Sequence, residues 1–276
     1  MIMIVAPVLA GGFGLLIGSF LNVVIFRVPA GRSIVSPPSA CGGCGAGIRP
    51  FDNIPVLSWL LLGGRCRDCK VGISWRYPLV ELLTGIVFAA VVLRFAPWNA
   101  LEGTASEIIG ALAVTLAFVM LAAVGVALAW IDIDTHRLPD VIVLPAYPVL
   151  AVLLIIAAAA TGDWWALLRA GLGGAILLVA YFAMAFAYPK GMGLGDVKLA
   201  GLLGIALGWL GWGELAVGAF SPFLLGGLFA VALVVFKGAG RGSGIPFGPW
   251  MLGGTALAVL AGEPIWRGYL RLVGLE

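Results

Sequence analysis

Two aspartates stand out in a chain that carries few charges. Asp132 directly follows an apolar run that ends Val-Ala-Leu-Ala-Trp-Ile, and Asp196 follows the alternating glycines of Gly191-Met-Gly193-Leu-Gly195. Two carboxylates that lie close together can share one proton, so that one acts as a base toward water and the other as an acid toward a carbonyl. The pair therefore predicts aspartic proteolysis, and the glycines would let an extended substrate backbone approach.

Each acidic residue also has a simpler interpretation as a solvated or capping residue at a helix end. For Asp196 this means a flexible loop with a capping carboxylate; nucleotide binding is not favoured, because no strand precedes the glycines and no Walker lysine-serine follows. Asp134 would point to nearly the opposite side of a helix from Asp132, which adjoins the apolar run and is the more buried candidate. Asp140 is expected to cap the helix that begins after Pro139.

The remaining polar side chains near the aspartates offer no competing catalyst. The one histidine, His136, is interpreted as a solvated loop residue, and Lys198 is expected to extend toward lipid headgroups. The chain has neither an H-E-x-x-H motif nor an evident Cys-His pair. A different class of protein stays open, in which the two acids serve ion or proton transfer in a transporter or a zinc-dependent assembly protein.

All four cysteines fall in one segment with the spacing C-x2-C-x21-C-x2-C: Cys41, Cys44, Cys66 and Cys69. Two such knuckles can supply the four thiolates of a tetrahedral zinc site, and the metal would stabilise a module too small for a core of its own. Two disulfides are the alternative, although these are rare in a reducing cytosol. A redox role is less favoured, because no thioredoxin-like βαβ pattern surrounds either C-x-x-C. The spacing predicts structural zinc.

The elements that must position these residues are membrane helices. Hydrophobic residues make up 62% of the chain, charged residues 11%, and the mean hydropathy is +1.12. The sequence predicts an all-α polytopic membrane protein with about eight spans of roughly 20 residues. The first span is expected to be retained and not cleaved as a signal peptide. The predicted spans are 4–26, 79–97, 107–130, 141–160, 164–188, 196–211, 215–236 and 246–262.

Basic residues divide unevenly between the two ends of these spans, which predicts orientation because cytoplasmic loops retain Lys and Arg. Twelve of the 16 basic residues fall on one side. They are Arg27, Arg32, Arg49, Arg65, Arg67, Lys70, Arg76, Arg137, Lys190, Lys198, Lys237 and Arg241. The other side has Arg94, Arg169, Arg267 and Arg271. Both aspartates are therefore expected at the cytoplasmic edge, and the net charge of +3 needs no nucleic-acid partner.

Outside the spans, the long segment 27–77 is the one stretch that resembles a soluble module, because charge, Pro, Gly and Cys concentrate there. The later connections are short, and 237–245 has the composition of a flexible linker.

Six motifs lie along the chain: Gly18-Ser-Phe-Leu-Asn-Val-Val-Ile-Phe-Arg-Val-Pro29, the cysteine knuckles, Asp52-Asn-Ile-Pro55, Ile73-Ser-Trp-Arg-Tyr-Pro-Leu-Val-Glu81, Asp132 with Leu138-Pro-Asp140, and Gly191-Met-Gly-Leu-Gly-Asp196. Together and in this order they resemble the bacterial prepilin peptidases, or type IV leader peptidases, of the GxGD aspartic protease group. Archaeal preflagellin peptidases and presenilin-like proteins share the Gly-x-Gly-Asp pattern but are not expected to carry the cysteine loop.

The resemblance implies a catalytic pair, Asp132 and Asp196, that cleaves the leader of prepilins and type II secretion pseudopilins at the bacterial cytoplasmic membrane. It also implies methylation of the new N-terminal amine with S-adenosylmethionine, for which the sequence shows no fingerprint. Residues 1–105 would form the first helices, the cysteine module and the methylation region, and residues 106–276 the peptidase domain. Pilus or type II secretion assembly machinery would be its partners.

Overall fold

The computed structural model describes residues 2–96, 98, 103–189, 191–237 and 246–275. These residues form helices and no strand, apart from two isolated β-bridges in the cysteine segment. The α-helices are α1 (Ile2–Arg27), α2 (Leu57–Leu61), α3 (Arg76–Phe95), α4 (Ala105–Thr135), α5 (Asp140–Thr161), α6 (Trp164–Ala187), α7 (Leu194–Leu210), α8 (Trp212–Lys237) and α9 (Gly248–Leu272).

Within the described residues, eight helices are long, and they coincide with the eight predicted spans. Six of them, α1, α3, α4, α5, α6 and α8, are long and apolar enough to cross a membrane. Helix α7 has only 17 residues, and α9 carries charged residues in its second half. The prediction of an all-helical polytopic membrane protein is confirmed.

The helix ends differ from the predicted spans at two functionally relevant places. Helix α4 continues to Thr135, so that Asp132 and Asp134 lie in its last turns and not beyond it. Helix α9 begins at Gly248 and runs to Leu272, ten residues past the predicted end. The described residues do not include Lys190, Arg241 or the rest of the predicted linker after Lys237. Lys237 itself ends α8.

Two clusters of buried apolar residues hold the helices together, and α4 contributes to both. One joins α1, α3 and α4 through Leu21, Val24, Ile25, Val80, Val126, Ala127 and Ile131. The larger cluster joins α4 to the later helices and includes Leu128, Leu150, Leu177, Leu199, Leu207 and Met251. The helix that carries Asp132 is therefore fixed from both sides.

Helix α7, which carries Asp196, packs against α6 at very short range. A Cβ atom added to Gly173 of α6 would lie 2.6 Å from the Gly204 carbonyl oxygen and 3.0 Å from the Gly208 Cα. Small residues allow this approach in membranes, where lipid provides no hydrophobic driving force between helices. At the far end, the Arg169 guanidinium donates to the carbonyls of Gly208, Trp209 and Leu210. Arg169 thus satisfies carbonyl groups that the end of α7 leaves unpaired.

The α6–α7 contact predicts that Gly173→Ala destabilises the protein by about 1–3 kcal/mol, since the new methyl group meets backbone atoms that cannot move aside. Gly171→Ala is the matched control on the same helix, because a Cβ atom added there would meet nothing within 4 Å. Thermal unfolding in detergent measures both variants. Equal midpoints for the two would contradict the close contact.

Candidate active site and cysteine cluster

Asp132 is a buried carboxylate near the C-terminal end of α4. Its side chain is 5% exposed, and its Oδ2 accepts a hydrogen bond of 2.9 Å from the backbone N–H of Gly248, the first residue of α9. The helix ends three residues later because His136 adopts a left-handed conformation, with φ at 51°, while its N–H still donates to the Asp132 carbonyl. A residue distant in sequence therefore fixes one oxygen of Asp132.

Asp196 is half-buried in the first turn of α7. Its Oδ2 accepts a hydrogen bond of 3.0 Å from the backbone N–H of Gly193, the residue that precedes the helix. This is the capping arrangement that the simpler interpretation of Asp196 expects. The same turn is held by Tyr147 of α5, whose hydroxyl donates to the Lys198 carbonyl at 2.5 Å.

Asp132 and Asp196 line one cavity of about 570 Å³. Its walls come from the end of α4, the connection to α5, the start of α7 and the end of α1. The lining residues are Val28, Pro29, Asp132, Thr135, His136, Arg137, Leu138, Pro139, Asp140, Gly193, Gly195 and Asp196. Two carboxylates in one cavity, beside two residues without side chains, could bind a peptide and exchange protons with it.

Asp134 does not line this cavity. Its carboxylate forms two hydrogen bonds with the Arg76 guanidinium of α3, at 2.9 and 2.6 Å, and the same guanidinium lies 4.8 Å from the centre of the Trp130 ring. Asp134 therefore connects α4 to α3, as its position on the opposite side of the helix suggests.

Two smaller predictions around the site are wrong. Asp140 does not cap α5: it is the first helical residue, Pro139 precedes it, and no side-chain capping bond forms. Its carboxylate instead accepts two hydrogen bonds of 2.8 Å from the Lys198 ammonium. Lys198 thus pairs with an acid that lines the cavity and does not extend toward headgroups. His136 is exposed, as expected, although it also lines the cavity.

The four cysteines form a second cluster, in the segment between α1 and α3. Their sulfur atoms all lie within 4.8 Å of one another, and the sulfurs of Cys41 and Cys69 are 3.7 Å apart. No disulfide joins them. A tetrahedral zinc ion with Zn–S distances of about 2.3 Å places its sulfurs roughly 3.8 Å apart. The cluster therefore fits a metal ion held by four thiolates.

The two knuckles repeat the same backbone turn. In the first knuckle, the N–H of Cys41 donates to the Ala46 carbonyl and the N–H of Gly45 donates to the Cys41 carbonyl. In the second, the N–H of Cys66 donates to the Val71 carbonyl and the N–H of Lys70 donates to the Cys66 carbonyl. The residue after each second cysteine has positive φ, at 73° for Gly45 and 59° for Lys70. Each turn thus brings its two thiols to the same side.

The electrostatics of this segment favour thiolate formation at one position. Hydrogen bonds from the backbone N–H groups of Cys44 and Gly43 lower the pKa of Cys41 to about 6. For Cys69, a backbone bond from Val71 acts in the lowering direction, but lost hydration and the other thiols raise the pKa to about 12. Thiols this close cannot all ionise unless a cation neutralises them, and metal binding would release the retained protons.

Sequence reasoning missed the contact between Gly248 and Asp132. The available signal was Pro246-Phe-Gly-Pro249, in which two prolines and a glycine mark a helix start between a glycine-rich stretch and an apolar run. The motif lies at the start of the predicted span 246–262, and its composition alone indicates no contact with Asp132. No local pattern indicates a hydrogen bond between residues 116 positions apart.

Comparison with known proteins gives matches over most of the chain. Residues 13–95 match the Bacterial Peptidase A24 N-terminal domain, and residues 118–238 match the Type IV leader peptidase family. No solved structure matches the chain.

Three curated relatives each carry the name prepilin leader peptidase/N-methyltransferase. The Aeromonas hydrophila protein is 36% identical over 285 residues, which cover 94% of this chain and 91% of the relative. The Pseudomonas aeruginosa protein is 35% identical over 303 residues, with coverages of 95% and 93%. The Neisseria gonorrhoeae protein is 33% identical over 288 residues, with coverages of 94% and 92%. With these identities along nearly the whole of both sequences, the chain belongs to the type IV leader peptidase family.

Proposed function

We propose that this protein is a membrane-embedded aspartic endopeptidase that removes the leader peptide from type IV prepilins and type II secretion pseudopilins. The observation that carries the proposal is that Asp132 and Asp196 line the same cavity, at the ends of helices that reach the same edge of the bundle. The names of the relatives support prepilins as substrates, and pseudopilins are added because the motif resemblance implies them.

Asp132 and Asp196 are the proposed catalytic pair. One carboxylate takes a proton from a water molecule as the water attacks the scissile carbonyl carbon, and the other, protonated, gives a proton to the carbonyl oxygen. The tetrahedral intermediate then loses its C–N bond while the leaving nitrogen takes up a proton. One water is consumed, and a carboxylate and a new N-terminal amine are released.

The proposed location is the bacterial cytoplasmic membrane, with the cavity facing the cytoplasm. Most basic residues fall in or beside the connections on the side of the two aspartates, as expected for cytoplasmic loops. A prepilin with a short basic leader and an apolar helix in the bilayer would present its scissile bond at this depth. Pilus or type II secretion machinery would then receive the processed product.

The catalytic pair predicts that Asp132→Asn and Asp196→Asn each slow leader cleavage by roughly 10²–10⁴-fold, since an amide cannot transfer the required proton. Asp134→Asn is the matched control from the same helix turn, because Asp134 pairs with Arg76 outside the cavity. Cleavage of a prepilin in reconstituted vesicles measures all three. Full activity of either cavity variant would refute the dyad.

We further propose that the protein methylates the amine that cleavage exposes, using S-adenosylmethionine, as the names of the relatives suggest. When bound, S-adenosylmethionine would supply the methyl group: the new N–C bond would replace the S–C bond, and the amine would lose one proton. We assign the peptidase to residues 106–276, which contain the Type IV leader peptidase match, and methylation to residues 1–105, as the motif resemblance implies.

Mass spectrometry of the cleaved product tests this second activity. With S-adenosylmethionine present, the processed pilin is expected to carry one added methyl group on its first residue. With Asp132→Asn, no methylated product is expected, because no new amine is released. An unmethylated product from the active enzyme with its cofactor present would contradict the assignment.

We propose that the four cysteines hold one structural zinc ion. The sulfur spacing supports zinc, and the tetrahedral shell closed by four protein ligands leaves no position for a substrate. An ion pair between Arg67 and Asp52 supports the module beside the metal; the guanidinium hydrogen bonds lower the pKa of Asp52.

Metal analysis of the purified protein is expected to find one zinc per chain. Gly45→Ala is expected to lose zinc to a chelator faster than the native protein, because a side chain in the left-handed conformation costs about 1–2 kcal/mol. Gly42→Ala is the matched control: its added Cβ also meets no neighbour within 4 Å, but its φ is not positive. Protein without zinc, or equal release from both variants, would contradict the site or its turn geometry.

A further inference from the structure

The start of α9 leaves one backbone N–H group available to another residue. Pro249 has no N–H group, and the N–H groups of Trp250 and Met251 both donate to the Phe247 carbonyl. The N–H of Gly248 instead donates to Asp132 Oδ2 at 2.9 Å, and Gly248 is buried. The first turn of α9 thus directs its partial positive charge at this carboxylate.

Aromatic packing fixes the position of this turn. The Phe247 ring lies 5.2 Å from the Phe223 ring of α8 and 6.4 Å from the Tyr181 ring of α6, measured between ring centres. Phe223 and Tyr181 also contact each other, at 5.7 Å, and Tyr181 is 3% exposed. Helices α6 and α8 therefore hold the residue next to Gly248 in place.

Residue 248 has no space for a side chain. A Cβ there would lie 2.8 Å from Asp132 Oδ2, 3.3 Å from its Cγ and 3.4 Å from Leu138 Cδ2. Real Cβ atoms do not approach an oxygen this closely, so any side chain would displace the carboxylate. The requirement for glycine comes from contact with Asp132, since Gly248 does not have positive φ.

We propose that Gly248 is a positioning residue of the peptidase, whose backbone N–H holds Asp132 Oδ2 and leaves Oδ1 to exchange protons in the cavity. The inference rests on the proposed function of Asp132. It adds the start of α9 as a third element of the site, beside the end of α4 and the start of α7. Gly193 plays the equivalent part for Asp196, but from the same turn of chain.

The test is Gly248→Ala against Gly253→Ala, which adds the same methyl group to an exposed position of α9 where nothing lies within 4 Å. With a prepilin in vesicles, Gly248→Ala is expected to lower kcat by about 10- to 100-fold, as a misplaced catalytic group does. KM should change less than twofold, because Gly248 contacts the carboxylate and not the substrate. Gly253→Ala should match the native enzyme.

A second measurement separates a contact with Asp132 from a general loss of stability. Gly248→Ala is expected to lower the unfolding midpoint in the native background but much less in an Asp132→Ala background, where the methyl group no longer meets a carboxylate. If Gly248→Ala alone does not fold, recovery of folded protein in the double variant supports the contact, and failure to recover it overturns the inference.

The outcomes also separate this inference from the proposed function. Native kcat in Gly248→Ala, with Asp132→Asn inactive, overturns the positioning role and leaves the dyad intact. An active Asp132→Asn overturns the proposed function. The unfolding midpoints of Gly248→Ala in the native and Asp132→Ala backgrounds then still report whether residues 132 and 248 interact. An equal fall in kcat for Gly253→Ala also overturns the inference, because the effect would then belong to α9 in general.

Discussion

Each of the two cavity carboxylates accepts a hydrogen bond from a backbone N–H at the start of a helix, and the arrangement around the cavity depends on these two bonds. A carboxylate at the edge of a bilayer loses hydration, and it is retained only where hydrogen-bond donors replace water. Gly193 at the start of α7 donates to Asp196, and Gly248 at the start of α9 donates to Asp132. Both helix starts must therefore reach the same membrane edge as the end of α4. The close α6–α7 contact and the aromatic cluster around Phe247 both serve this requirement.

The helices and their order follow largely from the distribution of apolar residues, because an apolar run of sufficient length must form a helix in lipid. The cysteine cluster is also predictable, since two knuckles of fixed spacing can bring four thiols close together. The side of α4 on which Asp134 lies follows from helical periodicity alone. Each of these features follows from composition, periodicity or the fixed spacing of a motif.

Features that depend on contacts between distant segments could not be predicted in the same way. The pairing of Asp140 with Lys198 requires the start of α5 to lie beside the first turn of α7, and capping rules act only within one turn. The hydrogen bond from Gly248 requires the packing of four helices around Phe247 and Asp132. Arg169 is one of the four basic residues on the side opposite the aspartates, and its hydrogen bonds to the last carbonyls of α7 depend on the packing of α6 against α7.

The N-terminal part of the chain is joined physically to the cavity that Asp132 and Asp196 line. Val28 and Pro29 form part of the cavity wall, and Arg76 of α3 binds Asp134 two residues beyond Asp132. Glu81 of α3, which is 8% exposed, accepts a 2.7 Å hydrogen bond from the Val56 N–H and so ties the cysteine segment to the same helix. The cysteine segment, α3 and α4 are thus connected by directional bonds. A division near residue 105 separates two sequence matches, but residues from both sides of that division line the cavity.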